Sequence, residues 1–365
     1  MSYSYRYGYS NLSSLAQLNG YPGISANTGA PVISGIDYLN QILTCTTGSW
    51  TESPSSYTYQ WKASGVDISG ATNSTFIGTA ATEGLPKTCD VRAVNIAGTS
   101  SAATSNTLHY WMPTDLSTDL QAWIDTVDTS NITHVANAVS QISDKSGNSR
   151  HFTQATEGSK PTTGAIVGNT NAVTYSTDHV QRTNSSLAQN KPRLYVATVV
   201  KPDSTAAVRS IIHLSTNGGA GSSRFVLRLT TGGILQLTGR RLDADTLTSR
   251  TGTNNKNGTS FICVAGIEWA SANSFARING VSEIADGAFL TTGNSENLAS
   301  LAVSIGGRQA ADPFLGDIGD FLFFTASSDI ADSVIEKIEG YLAHRSGLTS
   351  LLDVAHPYKT AAPTP

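Results

Sequence analysis

YTYQW, residues 57–61, is the stretch that decides the fold of the first part of this chain. Its three aromatic residues alternate with polar ones, so their side chains point to one face of an extended strand. Two neighbouring runs, 42–45 and 88–94, are also of strand length, and turn-forming pairs such as Ser64-Gly65 separate the runs. Short runs of this kind between turns predict a β-sandwich over residues 31–110.

The pattern continues at a larger scale over residues 115–350 and predicts a second, larger sandwich. Asn279-Gly280 after a short apolar run is a strong hairpin signal. Near the end the period changes to 3.6, which predicts a helix over 329–345 that packs on a sheet edge or closes the sandwich. The predicted strands of this part are 193–200, 208–214, 224–229, 234–237, 261–269, 275–278, 301–305 and 317–324. We therefore expect an all-β chain of two sandwiches with one C-terminal helix.

The composition argues against two classes of partner. Charged residues are 14% of the 365 residues and the formal net charge is −4, so the basic surface that nucleic acid requires is missing. No apolar run approaches the roughly 20 residues that span a membrane. The three cysteines, Cys45, Cys89 and Cys263, fit no zinc pattern, and their odd number allows at most one internal disulfide. We expect no nucleic acid, no membrane and no cofactor, with calcium as the one ion considered below.

The two ends of the chain differ from the sandwiches. Residues 1–30 carry Tyr3, Tyr5, Tyr7 and Tyr9 at a period of two, which puts four rings on one side of an extended segment. This segment is either a disordered tail or an anchoring arm that binds a neighbouring sheet or groove, since Tyr is favoured at interfaces. The start lacks the apolar core of a secretion signal, so we expect synthesis in the cytoplasm. The last residues, 351–365, are predicted to be a loose tail.

A set of residues within 31–110 carries a resemblance to a known family: Leu43, Gly48-Ser49-Trp50, residues 57–61, Gly70-Ala71-Thr72, and residues 91–95 before Gly98. In these residues the segment resembles the bacterial and phage immunoglobulin-like domains. The resemblance implies a disulfide between Cys45 and Cys89 that packs on a core Trp61. Lys87 departs from the family, because it lies where a corner Tyr is common.

The second segment, 115–350, carries another set: residues 120–125, the 139–148 run with its Asp-Lys-Ser-Gly-Asn turn, residues 151–155, residues 316–324, and residues 340–345. In these residues it resembles the concanavalin A-like, laminin-G-type jelly rolls that are often appended to phage structural proteins. Ile142 replaces the Trp that is usual in the family. The resemblance implies a jelly roll whose relatives bind glycans or fill virion surfaces, and the fold alone does not select between these functions.

Asp144 and Asn148, in the Asp-Lys-Ser-Gly-Asn turn, are the candidate metal ligands, because calcium prefers carboxylate and amide oxygens. The alternative is an Asx-type turn in which Asp144 accepts hydrogen bonds from its own backbone, and the residue pattern favours that turn. A second acidic group, Asp312, Asp317 and Asp320, is expected to be a solvated loop rather than an ion site.

Candidates for sugar chemistry and sugar contact are few. Glu268 and Glu283 lack the recognisable spacing of a glycosidase pair, so no catalytic residue is assigned. Trp50, Tyr57 and Trp269 could stack on sugar rings, although such residues more often pack in the core or at the rim of a sandwich. Cys263 lies within an apolar strand and is predicted to be a buried small hydrophobe.

Display-type sandwiches, a Tyr-rich arm and an absent secretion signal are all typical of a bacteriophage virion protein. We expect a capsid decoration or head-fibre protein on the virion surface, made in the host cytoplasm, homo-oligomeric, and held by its arm to the major capsid or tail protein. Weak contact with host-surface glycans would accompany that role. The alternatives are a tail-fibre or baseplate protein, a glycan-binding adhesin, and a tailspike glycan hydrolase.

Overall fold

The computed structural model describes residues 22–203, 207–216, 222–288, 292–295, 297, 301–307 and 312–365. The chain divides into two compact units, Met1–Tyr110 and Trp111–Pro365. Within the described ranges the regular structure is almost entirely strand, with one α-helix near the end. The prediction of an all-β chain is confirmed.

The described residues of the first unit form ten short strands arranged in small antiparallel sheets. One sheet has the order β2–β3–β7, a second has the order β10–β8–β5–β6 with β9 beside β8, and β1 pairs with β4. YTYQW lies in β5, and its alternation places Trp61 in the core beside Cys45, Cys89 and Phe76. The strands are β1 Asn27–Gly29, β2 Ile33–Gly35, β3 Ile42–Cys45, β4 Ser49–Trp50, β5 Ser56–Ala63, β6 Val66–Asp67, β7 Thr75–Ile77, β8 Lys87–Asn95, β9 Gly98–Thr99 and β10 Ala103–Thr104.

The second unit is a larger sandwich of the jelly-roll type. Where the structure describes this unit, seventeen strands are present: β11 Leu120–Ile124, β12 Ile132–Val135, β13 Ala138–Ile142, β14 Phe152–Thr153, β15 Thr162–Val167, β16 Thr170–Tyr175, β17 Val180–Ser185, β18 Arg193–Pro202, β19 Arg209–Ser215, β20 Ser223–Leu229, β21 Ile234–Gly239, β22 Thr248–Asn255, β23 Phe261–Glu268, β24 Asn273–Ile278, β25 Val281–Ala288, β26 Leu301–Ile305 and β27 Gly316–Phe324.

Two sheets enclose the core of this unit. The front sheet has the order β25–β24–β23–β18–β27, and both β11 and β16 continue it beyond β27. The back sheet has the order β22–β21–β20–β19–β26–β17–β14. Strand β13 pairs with both β14 and β15, so the two sheets are joined along one side. The core between them is built from strand residues such as Val196, Leu214, Phe225, Cys263 and Phe323.

Helix α1, Asp332–Ser346, packs on β23 and β18 of the front sheet. It buries Ile335, Ile338, Tyr341 and Leu342 and ends at Gly347, whose φ of 69° is the left-handed conformation that glycine adopts without strain. The predicted helix, 329–345, begins three residues too early. Asp329 pairs with Arg193, and the backbone N–H of Ile330 donates to the hydroxyl of Tyr195, so these residues remain extended.

The C-terminal segment is packed, and the prediction of a loose tail over residues 351–365 is wrong. The backbone N–H of Trp111 donates to the carbonyl of Pro363 at 2.9 Å. His356 is buried against Glu339 of α1 at 3.2 Å, and Ala362 is buried as well. The prolines that suggested a loose tail are compatible with order, because side chains and non-proline backbone groups of the segment supply its hydrogen bonds.

A buried ion-pair network ties α1 to the sandwich. Arg345 is fully buried and donates to both carboxylate oxygens of Asp125, at 2.8 and 2.9 Å. It also lies 2.5 Å from the carboxylate of Asp320 on β27. Lys145 reaches Asp125 at 2.8 Å from the other side. Asp320 is therefore a structural partner of α1, and the prediction of a solvated acidic loop that includes it is wrong.

Candidate functional site

The back sheet carries polar side chains on the face turned away from the core. Directly paired residues of antiparallel strands point to the same face, and the sequence neighbours of these residues, such as Leu214, Phe225 and Val303, belong to the core. The pairing register aligns one row across six strands: Gln181, Ser304, His213, Val226, Thr238 and Ser249. A second row aligns Arg228, Gln236 and Thr251. These nine residues are called the polar face below.

Hydrogen bonds between strands orient the side chains of the polar face. The hydroxyls of Thr238 and Ser249 are 2.8 Å apart. Nε of Arg228 donates to the amide oxygen of Gln236 at 2.8 Å, and the amide nitrogen of Gln236 donates to the hydroxyl of Thr251 at 2.8 Å. A chain of donors and acceptors is thus held in one orientation along the surface, which is the pre-organisation that polar recognition needs.

The solvent exposure of the polar face decreases from the edge strand β22 toward the central strand β19. Ser249 and Thr251 on β22 are exposed, and Gln236 and Arg228 are half-buried. His213 is only 2% exposed, and its Nε2 lies 2.8 Å from the hydroxyl of Ser223. A ligand can therefore reach the part of the polar face on β20, β21 and β22, where Arg228, Gln236, Ser249 and Thr251 lie.

Two buried polar atoms at the β17 end of the polar face have no hydrogen-bond partner among the described residues. They are the amide oxygen of Gln181 and Nδ1 of His179. Burial lowers the pKa of His179, so its ring is neutral near pH 7. Unpaired buried polar atoms are costly unless a water or a ligand group completes them. This end of the polar face can therefore accept a ligand hydroxyl.

A guanidinium cluster lies near the start of β20. Nη1 of Arg224 lies 3.1 Å and Nη2 of Arg240 lies 2.8 Å from the same carboxylate oxygen of Asp243. Hydrogen bonds from Arg224 and Arg240 lower the pKa of Asp243, which stays ionised. With two guanidinium groups around one carboxylate, this corner keeps a surplus of positive charge next to the polar face.

The outer face of the front sheet is occupied by the chain itself. Arg277 on β24 forms two hydrogen bonds, both 3.0 Å, with the Glu339 carboxylate of α1. The rings of Tyr195 and Phe324 stack on this face with centroids 5.2 Å apart. Helix α1 and the C-terminal segment cover part of the front sheet, and a cavity of about 280 Å³ lined by Glu268, Asn273 and Arg277 stays open beside α1. The polar face of the back sheet is the candidate for contact with a ligand because its hydrogen-bonded side chains reach an exposed edge.

The two glutamates considered for glycosidase chemistry lie in separate hydrogen-bond networks. Glu268 accepts from the hydroxyl of Tyr195 at 2.8 Å and from Asn273 at 3.1 Å. Burial alone would raise the pKa of Glu283, but hydrogen bonds from the Asn254 and Thr253 amides and from Lys256 lower it to about 2. Each carboxylate thus has structural partners that explain its position.

The calcium candidates form the Asx-type turn. The carboxylate of Asp144 accepts from the backbone N–H groups of Trp123, Ser146 and Arg150 at 2.9 Å each, and from the Ser146 hydroxyl at 2.9 Å. Asn148 turns its amide nitrogen to the carbonyl of Leu120 at 2.9 Å. Four donors fill the acceptor sites of one carboxylate, so these contacts favour a structural role. The part of the chain that the structure describes contains no group of three or more metal-ligating side chains.

The predicted structural residues of the first unit meet in its core. Cys45, Cys89 and Trp61 are all buried there, and both cysteines are free thiols in the structure. A hydrogen bond with Cys45 raises the pKa of Cys89. The Cys45–Cys89 disulfide stays a prediction, as does the immunoglobulin-like assignment of this unit.

The remaining candidates divide between buried and undescribed residues. Trp269 and Cys263 lie fully in the core of the second unit, which accords with their packing interpretations. Trp50 and Tyr57 are half-buried and pack on the core of the first unit. Tyr3, Tyr5, Tyr7 and Tyr9 lie outside the described residues. Within the described ranges, no helix has the length and apolar character needed to cross a membrane.

The sequence patterns missed the polar face and the buried ion pairs. Alternation along β19, β20 and β21 signals one apolar side, yet it does not say which strands are neighbours. Gln181 and Ser304 become partners through the β17–β26 pairing, which joins distant parts of the chain. The polar residues at every second position of each strand were the only sequence signal that could have indicated the polar face.

No protein-family model matches the chain, and no curated protein matches it. Solved structures similar to it include the CBM40 carbohydrate-binding module of a Ruminococcus gnavus IT-sialidase bound to α2,3-sialyllactose (18% identity, TM-score 0.34, 41% of this chain and 84% of that one). Domain 4 of AbnA, a GH43 extracellular arabinanase from Geobacillus stearothermophilus in complex with arabinotriose, is also similar (15%, 0.42, 60% and 98%). A third is the receptor-binding domain of botulinum neurotoxin mosaic serotype C/D (13%, 0.40, 63% and 51%).

Proposed function

We propose that this chain is a glycan-binding display protein whose second unit binds carbohydrate on the polar face. The observation that supports the proposal is the ordered set of guanidinium, amide and hydroxyl groups of Arg228, Gln236 and Thr251 across three strands of the back sheet. Sugar hydroxyls donate and accept hydrogen bonds, so a surface that offers both in fixed positions matches them.

The proposal predicts that Gln236→Ala weakens glycan binding. Gln236 has one side-chain hydrogen bond to each neighbouring strand, and its loss removes both the contact and the orientation of Arg228. We expect the Kd to rise about 3- to 10-fold, which corresponds to one hydrogen bond of ~0.5–1.5 kcal/mol. For an Arg228→Ala, Gln236→Ala double variant, the same reasoning predicts a Kd that is roughly 10- to 100-fold higher.

The measurement is a glycan array on the full chain, with sialyllactose and arabinotriose among the probes, followed by calorimetric titration of the best ligand. Gln60→Ala is the matched control, because Gln60 is a half-buried strand glutamine on β5 of the first unit, outside the unit that carries the polar face. The proposal fails if no glycan binds, or if Gln60→Ala and Gln236→Ala weaken binding equally.

A bacteriophage virion remains a second candidate setting for this function, as a capsid decoration, head-fibre, tail-fibre or baseplate protein. The feature that favours it is the period-two Tyr pattern in residues 1–30, which suits an arm that binds another virion protein. Host-surface glycans would then be the ligands of the displayed sandwich.

Residues 27–29 form β1 of the first unit, so the predicted arm over residues 1–30 extends too far. Deletion of residues 1–21, which leaves β1 in place, is predicted to abolish incorporation into phage particles. The four tyrosines supply apolar area and hydroxyl groups to an interface that the sandwiches alone do not provide. The measurement compares full-length and truncated protein in purified particles by quantitative mass spectrometry. Stoichiometric incorporation of the truncated chain would show that the arm is not the anchor.

A further inference from the structure

One lysine of the first unit is completely buried. Lys87, the first residue of β8, is 0% exposed, and its Nζ lies 2.5 Å from Oδ2 of Asp37, which is 1% exposed. Asp37 lies between β2 and β3, so the contact links the β2–β3–β7 sheet to the sheet that contains β8. Lysine and aspartate are rarely fully buried in proteins, and a pair that is buried needs a reason.

The surroundings of the pair provide few compensating charges. Nζ of Lys87 also donates to the carbonyls of Leu85, at 2.8 Å, and Thr82. Oδ1 of Asp37 is buried and has no hydrogen-bond partner among the described residues. An ionised carboxylate with one oxygen left unpaired in the interior is strongly destabilising. The geometry therefore places the amine of Lys87 next to a carboxyl group whose ionised form is poorly stabilised by its surroundings.

Burial shifts the pKa values of the two groups toward each other. Burial raises the pKa of Asp37 to about 6, and burial lowers the pKa of Lys87. Both shifts favour transfer of the proton from the ammonium to the carboxylate. The resulting neutral amine is a nucleophile, and the resulting carboxylic acid is a better electrophile than a carboxylate. Nζ of Lys87 lies 2.5 Å from Oδ2, an atom bonded to Cγ of Asp37, and packing holds it there, which replaces the entropy cost of an encounter.

We infer that Lys87 and Asp37 condense into an intramolecular amide cross-link between Nζ of Lys87 and Cγ of Asp37. The N–C bond forms and one C–O bond of the carboxyl group breaks. The leaving oxygen keeps the carboxylic acid proton, takes one hydrogen from the amine nitrogen, and departs as water. The step is a condensation, so it requires no oxidant, reductant or activated co-reactant.

The cross-link would remove two buried charges and leave an amide, whose unpaired carbonyl is less costly to bury than a carboxylate oxygen. It would also join the two sheets of the first unit covalently, across 50 residues of sequence. A covalent link of this kind limits the unfolded chain as a disulfide does, but a reducing agent cannot open it. For a displayed domain, the result would be a unit that stays closed under reducing conditions.

The intact mass of the full chain tests the inference. After reduction of all thiols, we expect a mass about 18 Da below the sequence mass, the loss of one water that amide formation requires. Reduction separates this loss from the two hydrogens of a disulfide. Proteolysis of the denatured protein should then yield one branched peptide that joins the segments around residues 37 and 87.

Variants locate the bond. Lys87→Arg keeps the positive charge but cannot condense, so it should return the full sequence mass, as should Asp37→Ala. Asp90→Ala is the matched control, because it removes the partner of Lys62 in a lysine–aspartate pair at 2.9 Å that is partly exposed, and it should keep the ~18 Da loss. Wild-type protein at its full sequence mass, after prolonged incubation between about pH 5 and 8, would overturn the inference. This result would leave the glycan-binding proposal untouched, since that proposal concerns the second unit.

Discussion

Replacing Arg345 with methionine is expected to lower the free energy of unfolding of the second unit by about 3–5 kcal/mol, the cost of leaving a buried charge without its partner. The guanidinium is fully buried between Asp125 and Asp320, and Asp125 is fully buried as well. Burial alone would raise the pKa of Asp125, but Arg345 and Lys145 hold it well below its usual range. Without Arg345, two neighbouring carboxylates in the interior would repel each other. One of them would have to bind a proton for the second unit to remain folded.

Urea unfolding of the full chain at pH 7 measures this effect, with hydrogen exchange on second-unit peptides to assign the transition. Lys160→Met is the control, because it also removes a cation from an ion pair, yet its partner Glu157 is exposed. Exposed pairs contribute about 0–1 kcal/mol, so Lys160→Met should unfold near the wild-type midpoint. Arg345→Met with an unchanged midpoint would mean that the buried network contributes nothing to stability.

Trp61→Ala is expected to lower the free energy of unfolding of the first unit by about 3–5 kcal/mol, as large-to-small changes of buried aromatic residues do. The ring is fully buried, packs on Phe76 with centroids 5.7 Å apart, and its Nε1 donates to the carbonyl of Asn73 at 2.9 Å. The substitution removes the packing of Cys45 and Cys89 together with this hydrogen bond. A small unit with one compact core has little else to compensate for the cavity.

Hydrogen exchange with mass spectrometry on the full chain reports the loss in peptides of β3, β5 and β8 separately from the second unit. Trp50→Ala is the matched control, since Trp50 is only half-buried at the edge of the same core, and about 1 kcal/mol or less is expected for it. Equal destabilisation by the two variants would show that Trp61 is not the centre of the core.

Features of the fold that depend on residues close in sequence were predicted correctly. The alternation in residues 57–61 is local, and it correctly places Trp61 inside and predicts β5. The helix near the end is also local in origin, and only its start is displaced, because Asp329 and Ile330 have tertiary partners that the helical period does not encode. The Asp144 turn follows from short-range hydrogen bonds, which is why an Asx-type turn could be weighed from the sequence.

Long-range pairs account for what the sequence did not predict. Asp125 and Arg345 are 220 residues apart, and Asp37 and Lys87 are 50 apart. Lys87 stood out only as a departure at a position where a corner Tyr is common, and nothing near it in sequence points to Asp37. The polar face has the same origin, because its rows exist only once β17, β26, β19, β20, β21 and β22 are placed side by side. The packed C-terminal segment depends on Glu339 and Trp111, both of which are distant in sequence from the residues they hold.

The hydrogen bond between Trp111 and Pro363 makes the second unit a closed loop of chain whose entry and exit are neighbours. A unit whose two ends are adjacent can be inserted into a surface turn of another protein without distorting either one. It can also be circularly permuted, with new termini placed in one of its loops. The same closeness means that a payload fused behind Pro365 would emerge beside residue 111, on the side of the unit where its chain begins.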